Sequence, residues 1–352
     1  MSWPVFWLKD DWRSRLLSPL AALVARVATK RYQRFKQAKL AADASQGLAS
    51  PVGPLVLVVG NLVVGGSGKT PLISWLIPLL QAQGWRVGVI ARGYASATRY
   101  QPERVTPNSD PDQVGDEPLM LAQTFDVPIV VCRERAAALA GLLAIEAVDI
   151  VISDDGLQHY GLARDLELVV FDASRPNAGI GNGRCLPAGP LREPLGRLQD
   201  IDFVLFNRSL SDVLYTPPAW LKGGPSCFNF QLQLGDAYAL SKPNQTQKLT
   251  DFIGQPVYAV AGMGHPERFF AALTQAGLDI EPRAFSDHHP FTEQDFTCFD
   301  PTKPLLMTSK DAVKCQKFAR SNWWVCPVEV NMADDFAASL LQAIRQDPRF
   351  VR

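Results

Sequence analysis

The stretch GNLVVGGSGKTP, from Gly60 to Pro71, decides how the chain folds around it. It follows a short apolar run, Leu55–Val59, and precedes a segment with helical periodicity, Thr70–Gln83. Gly-Lys-Thr between a strand and a helix is typical of a phosphate-binding loop, in which backbone N–H groups and a helix N-terminus converge on one anion. The usual pattern, G-x-x-x-x-G-K-[ST], has a glycine five residues before Gly68, and this chain has Val63 there.

The paired glycines Gly65 and Gly66 can supply the flexibility that the missing glycine would give. Lys69 would bring positive charge to the β- and γ-phosphates of ATP, and Thr70 a hydroxyl to Mg²⁺. An ordinary glycine-rich turn is the alternative, but it does not require Lys-Thr at the start of a helix. The sequence therefore predicts that ATP is bound by the loop residues Val63, Val64, Gly65, Gly66, Ser67, Gly68, Lys69 and Thr70.

A second segment supports the nucleotide site. VDIVISDDGLQH, from Val148 to His159, is an apolar strand that ends in two aspartates, as in a Walker B segment. Carboxylates at this position organise the Mg²⁺ shell, so Asp154 and Asp155 are the predicted metal residues. Gln158 and His159 follow about one helical turn later and could face the phosphates or a sugar. A surface turn can also carry Asp-Asp-Gly.

The order of elements predicts an α/β fold. From Pro54 to about Phe228, short apolar strands alternate with helices, which indicates a P-loop NTPase-like, mostly parallel sheet with helices on both faces. After Phe228 the pattern changes, and Ala239–Thr250 is polar and predicted to be poor in strands. We expect an N-terminal helix over residues 1–40, a kinase core over 41–230 and a smaller C-terminal α/β lobe over 231–352.

Composition excludes some classes of function. The chain has 352 residues, 47% of them hydrophobic, and its 35 basic residues balance its 35 acidic ones. A neutral chain is not expected to bind nucleic acid broadly. The six cysteines are far apart and form no C-x-x-C pair, so we expect free, buried thiols in a reducing, cytosolic environment.

The N-terminus differs from the rest of the chain. Its first 40 residues carry nine lysines and arginines against two aspartates. The apolar stretch Leu16–Ala28 is interrupted by Pro19 and Arg26, and it is shorter than the ~20 residues that cross a bilayer. An amphipathic helix with nearby tryptophans suits the membrane–water boundary. The alternative is a helix that packs on the domain with solvated lysines.

Further segments, together with the two above, resemble the tetraacyldisaccharide 4′-kinase family, the lipid A 4′-kinases. These segments are RGY (92–94), VGDEP (114–118), GNGRCLPAGPLREP (181–194), AGMGHPERFF (261–270), FSDHHPF (285–291) and TSKDAVK (308–314). The similarity runs from the N-terminal helix to about Lys314, and the family also uses the GGxGKT form of the loop. It implies that ATP phosphorylates the 4′-hydroxyl of tetraacyldisaccharide 1-phosphate, giving lipid IVA. It also implies an enzyme at the cytoplasmic face of the bacterial inner membrane, with no obligatory protein partner.

The same resemblance assigns roles to residues. Asp116 in VGDEP resembles the catalytic aspartate, and Glu117 would orient the acceptor or the metal. An aspartate with an ordinary pKa of about 3.9 is a weak base, so a histidine partner would help. The DHH segment supplies His288 and His289 for that role, and the sequence does not decide between them. Asp116 could instead cap a helix, and the histidines could lie in a solvated turn.

Arginine binds phosphate well through its bidentate fork, so Arg135, Arg192 and Glu193 are candidates to contact the substrate 1-phosphate or sugar hydroxyls. The guanine-reading pattern Asn-Lys-x-Asp is not present, which favours ATP over GTP. Two other functions stay open at this point. One is a membrane-bound P-loop switch or targeting NTPase without a phosphate acceptor, and the other is a soluble ligase-type enzyme that acts on a small acid.

Overall fold

The structure is a computed structural model that describes residues 3–46, 53–93, 100–208, 218–221, 223–332 and 334–351. The chain forms two compact units. The larger unit comprises Trp3–Arg104, Val127–Gln231 and Asn331–Arg352, and the smaller unit comprises Val105–Asp126 and Leu232–Val330. Val105–Asp126 was expected to belong to the kinase core but is part of the smaller unit. The domain boundaries 1–40, 41–230 and 231–352 stay a prediction.

Strands and helices alternate along most of the chain. The strands are β1 (Leu55–Gly60), β2 (Val87–Ala91), β3 (Glu103–Val105), β4 (Ile129–Val131), β5 (Ile150–Asp154), β6 (Leu166–Asp172), β7 (Phe203–Asn207), β8 (Ser226–Leu234), β9 (Ala237–Ala239), β10 (Lys242–Gln247), β11 (Pro256–Ala261), β12 (Asp279–Ala284), β13 (Leu305–Thr308), β14 (Trp323–Cys326) and β15 (Val328–Met332). The α-helices are α1 (Val5–Leu8), α2 (Trp12–Gln46), α3 (Lys69–Gln81), α4 (Pro111–Val114), α5 (Asp116–Thr124), α6 (Arg135–Ile145), α7 (Pro266–Gln275), α8 (Ser309–Cys315) and α9 (Asp334–Arg345).

The larger unit is organised by a nine-stranded sheet with the order β15-β8-β7-β6-β1-β5-β2-β4-β3. The pairings from β8 through β4 are all parallel. Every residue of β1 and β5 is buried, as expected for central parallel strands that are covered on both faces. The predicted α/β fold with a mostly parallel sheet is confirmed. The order also places β1 next to β5, so the phosphate loop and the Asp-Asp segment leave the sheet at adjacent carboxyl ends.

The smaller unit contains a six-stranded sheet with the order β10-β9-β14-β13-β11-β12. Along β11, Val257, Ala259 and Ala261 belong to one hydrophobic core, and Tyr258 and Val260 belong to a second. This alternation with a period of two shows that both faces of the sheet are covered. All six cysteines are free thiols, and Cys315 and Cys326 lie in these cores. The expected burial is wrong for Cys298, which is exposed, and Cys227 is half-buried.

The prediction that residues 239–250 are poor in strands was wrong. β9 pairs antiparallel with β14, and β10 pairs antiparallel with β9 at the edge of the sheet. The sequence Lys242–Gln247 reads KPNQTQ, and five of its six residues are exposed. An exposed edge strand needs no apolar alternation, so its pattern was not recognisable as a strand.

Helix α2 extends to Gln46, beyond the expected end at residue 40. Its carboxyl-terminal half packs on the larger unit: the Arg197 guanidinium lies 4.0 Å over the Tyr32 ring, and Lys36 Nζ is 2.6 Å from Asp200 Oδ1. Its amino-terminal half keeps a stripe of large apolar side chains exposed, from Trp12 to Val27. In the part of the chain that the structure describes, no helix is long and apolar enough to cross a bilayer.

Candidate active site

The loop between β1 and α3 shows why Val63 can replace the usual glycine. Val63 is buried and forms an antiparallel bridge with Leu191, and such extended backbone accommodates a β-branched residue well. The positive φ angles fall instead at Gly65 (+106°) and Gly68 (+96°), where glycine avoids the steric cost of a Cβ. Gly68 is the N-cap position of α3, so the backbone turns into the helix immediately before Lys69.

Several hydrogen bonds fix the loop. The Val64 N–H donates to Pro190 O (3.0 Å), and the Arg192 N–H donates to Leu62 O (2.7 Å). Within the loop, Asn61 Nδ2 donates to Gly65 O at 3.0 Å. The loop is therefore tied to the segment around residues 190–192, which lies more than 120 residues later in the chain.

Lys69, Asp155, Gln158 and Arg192 form one polar cluster beside the loop. Lys69 Nζ lies 3.5 Å from Asp155 Oδ1, and Arg192 Nη1 lies 3.0 Å from Asp155 Oδ2. Arg192 Nη1 also donates to Gln158 Oε1 (3.2 Å), while Gln158 Nε2 donates to Asn61 O (3.2 Å). Burial raises the pKa of Asp155, but the charges of Lys69 and Arg192 outweigh it and hold the pKa at about 2. The cluster thus presents an ionised carboxylate between two cations.

Asp154 and Arg135 lie at the end of β5. Asp154 is the last residue of the strand and is buried. Arg135, only 2% exposed, donates from Nη2 to Asp154 O (3.1 Å) and from Nη1 to Cys132 O (2.9 Å). Burial lowers the pKa of Arg135 to about 10, so the guanidinium remains charged near pH 7. These bonds tie the ends of two strands together, and a contact of Arg135 with substrate stays a prediction.

His159 and Glu193 also lie in the larger unit, and burial shifts the pKa of each. Burial, followed by the charge of Arg135, lowers the pKa of His159 to about 4, so its imidazole is neutral near pH 7. Glu193 is 3% exposed and accepts a hydrogen bond of 2.7 Å from the Tyr160 hydroxyl. Burial raises the pKa of Glu193. Its expected contact with substrate stays a prediction.

In the smaller unit, Asp116 and His288 come together. Asp116 is the first residue of α5, after Gly115 with φ +93° as the N-cap, and its own side chain is not the cap. His288 Nδ1 lies 3.0 Å from Asp116 Oδ2. His288 has φ +59°, a conformation that a non-glycine residue adopts at a cost of about 1 kcal/mol or more. The turn therefore holds His288 against Asp116, although 172 residues separate them.

His289 faces other partners. Its Nε2 lies 3.2 Å from Asp295 Oδ1, and its ring packs with centroids 4.8 Å from those of Phe285 and Phe291. Of the two histidines that the sequence left open, His288 is the one in contact with Asp116. Glu117 lies on α5 with Oε1 3.7 Å from Lys310 Nζ, and its role toward a metal or acceptor stays a prediction.

Sequence reasoning missed two lysines of this cluster. Lys314 Nζ is 3.2 Å from Asp116 Oδ2 and 3.6 Å from Asp311 Oδ1. Lys310 Nζ is 3.4 Å from His288 Nε2. Asp311 is fully buried and accepts hydrogen bonds from Thr308 Oγ1 (2.7 Å) and from the Gly262 N–H (3.0 Å). The segment TSKDAVK carries both lysines four residues apart, and this spacing could have indicated that they share one face of a helix.

The oxygen donors next to the loop suit a magnesium ion that binds together with a nucleotide. Within the described ranges, His, Cys, Asp and Glu side chains form no group of three that could hold a metal by themselves. Mg²⁺ is usually held by one or two carboxylates together with substrate phosphates, and it accepts a hydroxyl ligand. The ionised Asp155, the buried Asp154 and the Thr70 hydroxyl at the start of α3 are oxygen donors of this kind.

Comparison with known proteins identifies relatives over nearly the whole chain. The family model for tetraacyldisaccharide-1-P 4′-kinase matches residues 13–345. A tetraacyldisaccharide 4′-kinase from Hydrogenovibrio crunogenus is 41% identical over 98% of both chains. One from Pseudomonas putida is 44% identical over 89% of this chain and 87% of its own. A crystal structure of LpxK from Aquifex aeolicus in complex with ATP shares the fold, with a TM-score of 0.73 at 23% sequence identity. The superposition covers 94% of this chain and 99% of the Aquifex aeolicus chain.

Proposed function

Because the chain belongs to the tetraacyldisaccharide-1-P 4′-kinase family, we propose that it transfers the γ-phosphate of ATP to the 4′-hydroxyl of tetraacyldisaccharide 1-phosphate, forming lipid IVA. It is a phosphotransferase of lipid A biosynthesis. The observation that carries the proposal is the family match over residues 13–345. A switch or targeting NTPase without an acceptor is not favoured by this membership.

The loop of the larger unit is proposed to hold ATP. The backbone N–H groups of residues 65–68 and the N-terminus of α3 would line the phosphates, whereas the Val64 N–H is engaged with Pro190 O. Lys69 would stabilise the charge that develops on the γ-phosphate. Thr70, Asp154 and Asp155 would hold Mg²⁺, which when bound supplies neutralisation of the β- and γ-phosphates. Arg192, which is itself held by Gln158, keeps Asp155 oriented through its ion pair.

Asp116 is proposed to receive the proton of the acceptor. The 4′-oxygen forms a bond to the γ-phosphorus, the bond from that phosphorus to the β–γ bridging oxygen breaks, and ADP leaves. The hydroxyl proton passes to the Asp116 carboxylate. His288, 3.0 Å from Asp116 Oδ2, orients the carboxylate and helps to share the proton.

Helix α2 is proposed to bind the cytoplasmic face of the inner membrane, where an acylated substrate resides. Its exposed apolar residues recur four, four, three and four positions apart, which places them on one face of the helix. They are Trp12, Leu16, Leu20, Leu23 and Val27, with exposed fractions between 44% and 70%. Exposed basic residues from Arg13 to Arg34 accompany them and suit anionic headgroups.

A phosphate-transfer assay tests the function. Radiolabelled ATP, Mg²⁺ and tetraacyldisaccharide 1-phosphate are incubated with the protein in detergent, and the lipids are separated by thin-layer chromatography. We expect a labelled lipid bisphosphate from the wild type and a rate lower by orders of magnitude from Lys69→Ala. Labelled free phosphate at a rate that ignores the lipid would overturn the kinase in favour of the switch NTPase.

A further inference from the structure

The N-terminal segment is built into the larger unit beside the phosphate loop. The Trp7 indole N–H donates to Pro187 O at 2.9 Å, and the Asn182 N–H donates to Trp7 O at 2.8 Å. Asn182 Nδ2 also donates to Phe6 O at 2.9 Å. These bonds seat residues 3–8 on the segment that follows Gly181, so Trp3 has a defined position rather than a solvated one.

Trp3 extends from this segment to the loop itself. Its indole N–H donates to Val64 O at 3.0 Å. The guanidinium of Arg175 lies over the Trp3 ring, with its central carbon 4.4 Å from the ring centroid. A Cβ placed on Gly65 would stand only 3.3 Å from Arg175 Nη2, so the guanidinium closely underlies Gly65. Asp172 Oδ2, 3.1 Å from Arg175 Nε, holds the guanidinium in place.

The contact on Val64 O has a consequence for phosphate binding. Because a peptide group is planar, fixing the carbonyl of Val64 also fixes the direction of the Gly65 N–H. That N–H is among the loop donors that would meet the phosphates. The preceding peptide is held separately, since the Val64 N–H donates to Pro190 O at 3.0 Å. Gly65 has φ +106° and no Cβ to restrict its backbone, so the hydrogen bond to Val64 O helps to orient this donor before the anion binds.

We propose that Trp3 is a positioning residue for the nucleotide: its indole N–H and its stack with Arg175 hold the Val64–Gly65 peptide in the orientation that ATP requires. This inference rests on the proposed function of the loop. It assigns residues 3–8 a role in the nucleotide site, beside the membrane role that is proposed for α2. Trp3 does not touch the reacting atoms and acts through the loop backbone.

The test compares two tryptophans of the larger unit in the full-length protein. Trp3→Phe keeps an aromatic ring over Arg175 but removes the N–H. Trp85→Phe is the matched control, since Trp85 is half-buried between α3 and β2 and its ring packs 5.2 Å from that of Phe350. The Kd of a Mg²⁺-bound, non-hydrolysable ATP analogue is measured by calorimetry in detergent, and steady-state kinetics give kcat and both KM values.

We expect Trp3→Phe to raise the Kd for the analogue and the KM for ATP about fivefold, the effect of one hydrogen bond, with kcat and the KM for the lipid unchanged. Trp85→Phe is expected to match the wild type. Equal Kd values for the two variants, or equal rises in both KM values of Trp3→Phe, would overturn the inference. Lys69→Ala distinguishes failure of the Trp3 inference from failure of the proposed nucleotide site. If Lys69→Ala also binds the analogue with the wild-type Kd, the loop is not the nucleotide site.

Discussion

In the phosphate loop, the backbone requires glycine at Gly65 and Gly68, because both have positive φ angles that side chains with a Cβ rarely adopt. Val63 has no such requirement, since its backbone pairs with Leu191 and its side chain is buried. The position of a glycine in a motif is therefore set by the local path of the backbone. The path around residues 60–64, tied to residues 190–192, therefore differs from the usual pattern without changing Gly65 and Gly68, in the half of the loop that we propose binds phosphate.

Gly65→Ala is expected to raise the Kd for ATP about tenfold. The alanine Cβ would be strained at φ +106° and would press on Arg175 at 3.3 Å, a cost of about 1–3 kcal/mol that the loop can relieve only by moving its donors. Calorimetric titration with a non-hydrolysable analogue measures the effect. Val63→Gly, which restores the usual pattern, is the control and is expected not to tighten binding. Tighter binding by Val63→Gly would contradict this account of the loop.

His159 is expected to make stability depend on pH. Its pKa is about 4 in the folded chain, below the ordinary value of 6.5, so the unfolded chain binds the proton more strongly. The stabilisation by the neutral imidazole is complete above pH 6.5 and is lost as the pH falls toward 4. Because solvent screens this half-buried side chain, the wild type should lose about 1–2 kcal/mol more unfolding free energy than His159→Gln between pH 7 and pH 4.5. Denaturant unfolding at both pH values measures this, and equal losses would contradict it.

At the scale of elements, α2 combines two surfaces. Its carboxyl-terminal half is fastened to the larger unit by Tyr32 and Lys36. Its amino-terminal half exposes the apolar stripe between Trp12 and Val27. Exposed apolar side chains in a continuous row are unusual for a surface that faces only water. One helix can thus be held by the protein and still present the face that we propose contacts lipid.

The double variant Leu16→Ser/Leu20→Ser is expected to lose most of its binding to anionic vesicles, because it removes two neighbouring large apolar side chains from the stripe. Sedimentation with vesicles measures the bound fraction. Leu40→Ser is the matched control, since Leu40 is 61% exposed on the same helix but off the stripe. Equal loss from the control, or no loss from the double variant, would show that another surface binds the membrane.

Elements with strong local patterns were predictable from the sequence. The apolar runs of β1 and β5 predicted the parallel strands, and the glycine-rich stretch with Gly-Lys-Thr predicted the loop between β1 and α3. The polar edge strand β10 was missed because an edge strand lacks the apolar alternation that identifies strands. The expected strand Leu55–Val59 ends one residue before the observed end of β1, and the expected helix Thr70–Gln83 extends two residues beyond the observed end of α3, because the terminal residues of elements carry little periodicity.

Contacts between distant residues were not predictable in the same way. The sequence indicated Asp116 and the histidine pair by resemblance, but only the turn at His288, with φ +59°, selects the histidine that contacts Asp116. Lys314 approaches Asp116 because α8 packs against α5, a tertiary contact that no local pattern encodes. Likewise, Trp3 and Val64 are 61 residues apart, and their hydrogen bond follows from the docking of the N-terminal segment.

At the scale of the whole molecule, the candidate chemistry is divided between two compact units. The loop, Lys69 and Asp155 belong to the larger unit, which has its own core around the parallel sheet. Asp116 and His288 belong to the smaller unit, which has two cores of its own. Each polar cluster is completed by residues of its own unit, such as Arg192 in one and Lys314 in the other. Nucleotide binding and proton acceptance should therefore be separable by mutation.

Asp116→Asn is expected to lower kcat by about 10²–10⁴-fold, the usual contribution of a general base, while the Kd for ATP stays within about twofold of the wild type. Asparagine keeps the shape of the side chain and can still contact His288, but it cannot accept the acceptor proton. Lys69→Met, in the other unit, should weaken ATP binding and turnover together. Calorimetry with a non-hydrolysable analogue and single-turnover transfer to the lipid measure the two quantities. If Asp116→Asn also abolished ATP binding, Asp116 would serve the nucleotide or its metal, and the division of labour between the units would be wrong.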